Sequence, residues 1–87
     1  MNSNFELRKS NRAEVYLVRR IVENTIQYNY GYLSVIEQRI AEDSSGTVWH
    51  STFDGELEHL PLVIESDSAE EFLRLIKMEK LLNVESI

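Results

Sequence analysis

Seven carboxylates fall between Asp54 and Glu71: Asp54, Glu56, Glu58, Glu65, Asp67, Glu70 and Glu71. Paired carboxylates can do acid–base chemistry when a pocket drives their pKa values apart. A chain of 87 residues has little room for such a pocket. Spread over a turn, a strand and a helix start, these groups are instead expected to form an acidic ridge with phosphate-like spacing. Such a ridge suits a basic groove on another protein, and its field would steer the encounter. Two plainer readings stand beside it. Glu70 and Glu71 can serve a helix N-terminus, and a solvated acidic face keeps a small protein soluble.

His50 and His59 are the other candidates for chemistry. If Asp54 and Gly55 close a two-residue hairpin, the two histidines face each other across the strands with Cβ atoms about 5 Å apart. That is close enough to approach one ion or to repel when both are protonated. No third ligand is at hand, because Glu56 and Glu58 project from the opposite face, so no metal and no cofactor is expected. Ser44, Ser45, Ser51, Ser66 and Ser68 have no His–Asp relay, and no glycine-rich phosphate loop occurs. With no cysteine, thiol chemistry is excluded. An enzyme is not expected. Tyr28, Tyr30 and Tyr32 recur at every second residue and can be read three ways. They can be an anchor set for a protein partner, ordinary packing around a turn, or stacking platforms for single-stranded nucleic acid, the last opposed by the net charge of −6.

The elements that must position these groups follow from periodicity. Phe5 and Leu7 alternate with polar neighbours over Asn4–Arg8, a short strand. Asn11 and Glu14 have capping-box spacing, and Val15, Val18, Val22 and Ile26 recur at helical spacing beyond them, widened by Leu17 and Ile21. This predicts a helix over 12–27, although Val and Ile pack as well in strands. Leu33, Ile36 and Ile40 predict a second helix over 32–42, giving an α-hairpin. The competing reading is a strand from Thr25 to Val35.

Gly46–Ile64 predicts a β-hairpin closed on Asp54-Gly55, with Phe53 facing Glu56 and Trp49 facing Leu60. Thr47, Trp49, Phe53, Leu60 and Leu62 would form its core face. Val48, His50, Thr52, Leu57 and His59 would form the wetter one. Pro61 cannot donate to a ladder, so its strand is expected to be an edge or to stop pairing there. Ser66–Glu71 offers two helix caps, Asp67 with Glu70 or Ser68 with Glu71. Phe72, Leu75, Ile76 and Leu82 then stripe a C-terminal helix, with Leu73 and Met78 at its sides and Glu79 projecting into it.

The expected fold is therefore α+β in a single compact domain over residues 1–87. An α-hairpin precedes a β-hairpin, which an N-terminal strand can join to make a three-stranded antiparallel sheet, and a C-terminal helix follows. No signal peptide or membrane span is visible, so a cytoplasmic protein is expected. Charge is uneven: residues 1–42 carry six basic and five acidic groups, residues 43–87 three and ten. The leading functional expectation is a small acidic protein-binding module. It would be an inhibitor or an immunity or anti-defence type of protein that occupies the nucleic-acid-binding surface of a larger basic partner, as a nucleic-acid mimic. One alternative is a subunit of a homo-oligomer, such as a homodimer. Another rests on the order α-α-β-β-α, which resembles a winged helix: a DNA-binding regulator using Arg8, Lys9, Arg12, Arg19 and Arg20.

Overall fold

Residues 16–22, YLVRRIV, form a strand and not the first helix of a hairpin. The computed structural model describes residues 3–42, 49–55 and 57–85. Its elements are β1 (Phe5–Lys9), β2 (Tyr16–Val22), β3 (Thr25–Gly31), α1 (Leu33–Ala41), a single 3₁₀ turn at Leu57–His59, β4 (Leu62–Ser66) and α2 (Ala69–Glu85). The strands form one antiparallel sheet in the order β3-β2-β1-β4. The expected α-hairpin is thus replaced by a three-stranded meander followed by one helix, and the winged-helix order goes with it.

The physical reason is a double periodicity. In β2, Tyr16 and Val18 face one side of the sheet and Leu17 and Ile21 the other, a pattern that also fits a helical arc. Aromatic and β-branched residues then favour the strand. The β2–β3 register pairs Val22 with Thr25, leaving Glu23 and Asn24 as a two-residue loop. Both have positive φ, 51° and 66°, the requirement of a type I′ turn. Asn11–Glu14, with capping-box spacing, lies instead in the β1–β2 connection, where Glu14 has φ 64°. The alternation of Ile26, Tyr28 and Tyr30 is β3, which stops at Gly31, short of Val35.

Both helices lie on one face of the sheet. Leu33, Ile36 and Ile40 of α1 and Phe72 and Ile76 of α2 pack on Phe5, Leu7, Tyr16 and Val18. Phe5 and Phe72 stack with ring centres 5.3 Å apart. Fully burying a side chain of this size contributes about 1.5–3 kcal/mol, so these few residues carry most of the fold. Arg39 of α1 donates to the Asn29 side chain, which is buried in β3. Lys80 of α2 bridges to Glu37 of α1 at 2.8 Å. The C-terminal stripe is only partly used: Phe72 and Ile76 are buried and Leu75 half-buried, whereas Leu82 is exposed. Glu79 is half-buried in a helix that continues past it to Glu85.

The other face is crossed by residues 50–55 and 57–61, which follow the buried Trp49 of the helix-side core. His50 exchanges backbone hydrogen bonds with Tyr28 on the outer edge of β3, at 2.8 and 2.9 Å. The chain then carries Phe53 against the Tyr28 ring, 6.0 Å between centres. It ends where Arg8 Nη1 donates to the Leu60 carbonyl (2.8 Å) and the Lys9 amide donates to the Pro61 carbonyl (3.0 Å). This strap replaces the expected hairpin. Asp54 and Gly55 do not join two paired strands, because the segment before them pairs with β3 and the segment after them with β1. The pairing expected of Phe53 with Glu56, and the faces assigned to Thr47 and Val48, lie outside the described residues. Trp49 is buried, as expected of a core residue, but Leu62 is exposed. No helix is long and apolar enough to cross a membrane among the described residues.

Candidate protein-binding surface

Four of the acidic residues, Glu65, Asp67, Glu70 and Glu71, lie where β4 turns into α2, and local chemistry fixes that corner. Ser66 is buried, and its hydroxyl donates to Glu71 Oε1 at 2.9 Å while accepting the Ser68 amide at 3.2 Å. Ser68 Oγ accepts the Glu71 amide at 3.1 Å, so of the two possible caps the structure uses Ser68 with Glu71. Asn4 donates from β1's approach to the Asp67 carbonyl at 3.2 Å. On this frame Glu65, Asp67, Glu70 and Glu71 are all exposed. Arg74, 3.8 Å from Glu71, forms an exposed pair of small energetic weight.

The remaining acids go elsewhere. Asp54 is exposed on the strap. Glu58 lines a hollow of about 280 Å³ with Glu6, Arg8, Arg19, Tyr28 and Leu57 on the back of the sheet. Glu65 is the cross-strand partner of Glu6, which lines the same hollow as Glu58. Glu6 itself is held by Arg19 at 3.1 Å and Arg8 at 3.7 Å, all three side chains mostly buried. Glu56 lies outside the described residues.

The tyrosines do not join this corner. Tyr28 and Tyr30 lie along β3 and Tyr32 just beyond it, at the opposite edge of the sheet from β4. Tyr28 is half-buried under the strap; Tyr30 and Tyr32 are 57% and 56% exposed. The Tyr30 ring lies over His50, 6.1 Å between centres, and Tyr32 precedes the first residue of α1. Two separate surfaces therefore exist, one acidic and one aromatic.

His50 pairs with Tyr28 and His59 sits in the 3₁₀ turn, so the expected histidine pair is not formed. No three His, Asp or Glu side chains gather as metal ligands among the described residues. The five basic residues expected on an N-terminal helix are dispersed. Arg19 points to the back face with Glu6, Arg20 to the helix face with Trp49, and Arg12 lies in the β1–β2 connection.

Two features were not visible in the sequence. A cleft of about 690 Å³ opens beside the strap, lined by Val15, Leu17, Tyr30, Phe53 and Leu60 together with Arg12 and Asp54. The far half of α2 exposes Met78 (54%), Leu81 (63%) and Leu82 (59%). The spacing of the helix's apolar residues held the second signal, since its eight large apolar residues cannot all reach one sheet. Compared with models of protein families, with curated proteins and with solved structures, the chain matches none.

Proposed function

We propose that this chain is a small, non-enzymatic protein-binding module that occupies a basic, nucleic-acid-binding surface of a larger partner, as an inhibitor or an immunity or anti-defence type of protein does. The observation that carries the reading is the β4–α2 corner. Four carboxylates, Glu65, Asp67, Glu70 and Glu71, are exposed there on a frame already fixed by Ser66, Ser68 and Asn4. A rigid acidic corner loses little conformational freedom on binding, and its field raises the encounter rate with a basic surface.

The test is a capture experiment. Immobilised protein is expected to retain basic, nucleic-acid-binding proteins from a cell extract and to release them as salt rises. Glu65→Lys, Asp67→Lys and Glu70→Lys together reverse the corner while sparing Glu71 and its hydrogen bonds. The triple variant should fold, by circular dichroism, and lose the retained proteins. Unchanged retention by the folded variant would sink the reading.

A further inference from the structure

The sheet ends at β4. Its inner edge is bound by β1, and its outer edge has no strand partner among the described residues. Open edges are templates for another strand, and monomeric proteins blunt them with lysine, proline, bulges or inward charges. Pro61 precedes β4 and a register shift between Leu7 and Arg8 bends its pairing with β1, but within LVIES only Glu65 is charged.

A second feature lies on the same flank. Along α2, Phe72 and Ile76 point to the sheet, and Leu73 and Lys77 line a groove with Ser34, Glu37 and Gln38 of α1. At 100° per residue, Leu75, Met78 and Leu82 fall on the side of α2 turned away from α1. α1 follows β3 and is tied to it through Arg39 and Asn29, whereas α2 follows β4 at the other edge. The stripe therefore runs on the side of the open β4 edge. Met78 and Leu82 are exposed, and so is Leu62 on β4 itself.

The flank is also electrically polar. Its acidic end is the corner of Glu65, Asp67, Glu70 and Glu71. At the other end, where the Lys9 amide donates to the Pro61 carbonyl just before β4, the β1–β2 connection carries two cations against one acid: Lys9, whose Nζ donates to the Ser10 and Arg12 carbonyls, and the exposed Arg12, with the exposed Glu14. A parallel pairing of two such edges would set acid against acid. An antiparallel pairing about a two-fold axis sets each acidic end against the basic end of the other copy. The same axis brings the two α2 stripes together.

We infer that this flank docks a second copy of the chain, β4 adding antiparallel to β4 and the Leu75–Met78–Leu82 stripes packing against each other. The interface is isologous, so every contact is made twice, and it joins two four-stranded sheets into one continuous sheet. It stands on the β4 edge and the α2 stripe, and does not depend on the function proposed above.

Sedimentation equilibrium of the full chain over a wide concentration range tests it. A dimer mass is expected at high micromolar concentration. The variant Met78→Glu with Leu82→Glu changes exposed positions only, so it should keep its circular dichroism spectrum and sediment as a monomer. Because the chain has no cysteine, single Met78→Cys and Ser34→Cys variants give an independent readout. Mild oxidation should cross-link the first into a dimer and leave the second, on α1, uncross-linked. A monomer at every concentration overturns the inference. So does a dimer that survives the double Glu variant with no cross-link at position 78.

Discussion

The guanidinium of Arg20 lies 3.8 Å from the centre of the Trp49 ring, on the helix-covered side of the sheet. Both residues are at least nine-tenths buried, and Arg20 Nε also donates to Gln27 at 2.7 Å. The pair ties the residue just before the strap to the middle of the sheet. A cation over an indole face is attracted by the ring quadrupole, the more so where water is excluded.

Trp49→Ala should therefore be severe, about 3–5 kcal/mol, as for other large aromatic truncations in a core. Arg20→Leu should cost less. In a urea double-mutant cycle the two changes should couple by about 0.5–2 kcal/mol. Strict additivity would show that the contact contributes shape and not cation–π attraction.

Glu6 is the second sensitive position. Its carboxylate, with the side chain 11% exposed, is shared by Arg19 and Arg8. Glu6→Ala removes the only carboxylate paired with either guanidinium among the described residues and leaves two cations close together. The loss should approach about 3 kcal/mol, the cost of breaking a buried pair on one side. Replacing Glu6 by Leu and Arg19 by Met together should cost less than Glu6→Ala alone, as read by chemical denaturation. Equal losses would mean that packing and not charge governs this site.

The β2–β3 turn invites the opposite result. Glu23 and Asn24 both adopt left-handed backbone, a conformation that costs an ordinary residue about 1–2 kcal/mol. Glu23→Asn with Asn24→Gly installs the pair most suited to a type I′ turn. Thermal denaturation should show stabilisation of about 1 kcal/mol. A lowered midpoint would indicate that the Glu23 side chain has a role the turn geometry does not reveal.

These residues also explain what the sequence conceals. β1, α1 and the start of α2 were readable, because each rests on local signals: alternation at Phe5 and Leu7, helical spacing at Leu33, Ile36 and Ile40, and the Ser68–Glu71 cap. β2 was not. Arg19 and Arg20 stand side by side as the outer face of a helix would, yet each is buried on its own side of a sheet. Their partners are distant in sequence, Glu6 for one and Trp49 for the other. The same distance effect defeated Asp54-Gly55. Its local turn preference gave way to His50 pairing with Tyr28 and to β4 pairing with β1. The acidic corner was legible because Glu65–Glu71 is one short segment. Its separation from the tyrosines was not, since that depends on the strand order.

That strand order dictates when the sheet can be finished. The meander β1–β2–β3 makes contacts only between neighbours in sequence and can assemble early, since nearby contacts close cheaply. β1, however, sits between β2 and β4, so one of its edges stays bare until residues 62–66 have been laid down. The strap must be drawn across the back face before that happens, because it leads directly into β4. An arrested or cleaved chain lacking β4 and α2 would display a full strand edge and the uncovered Phe5–Leu7 surface together. Such an intermediate is sticky by construction. Variants that slow the crossing of the strap are thus expected to lower the yield of folded protein more than its final stability.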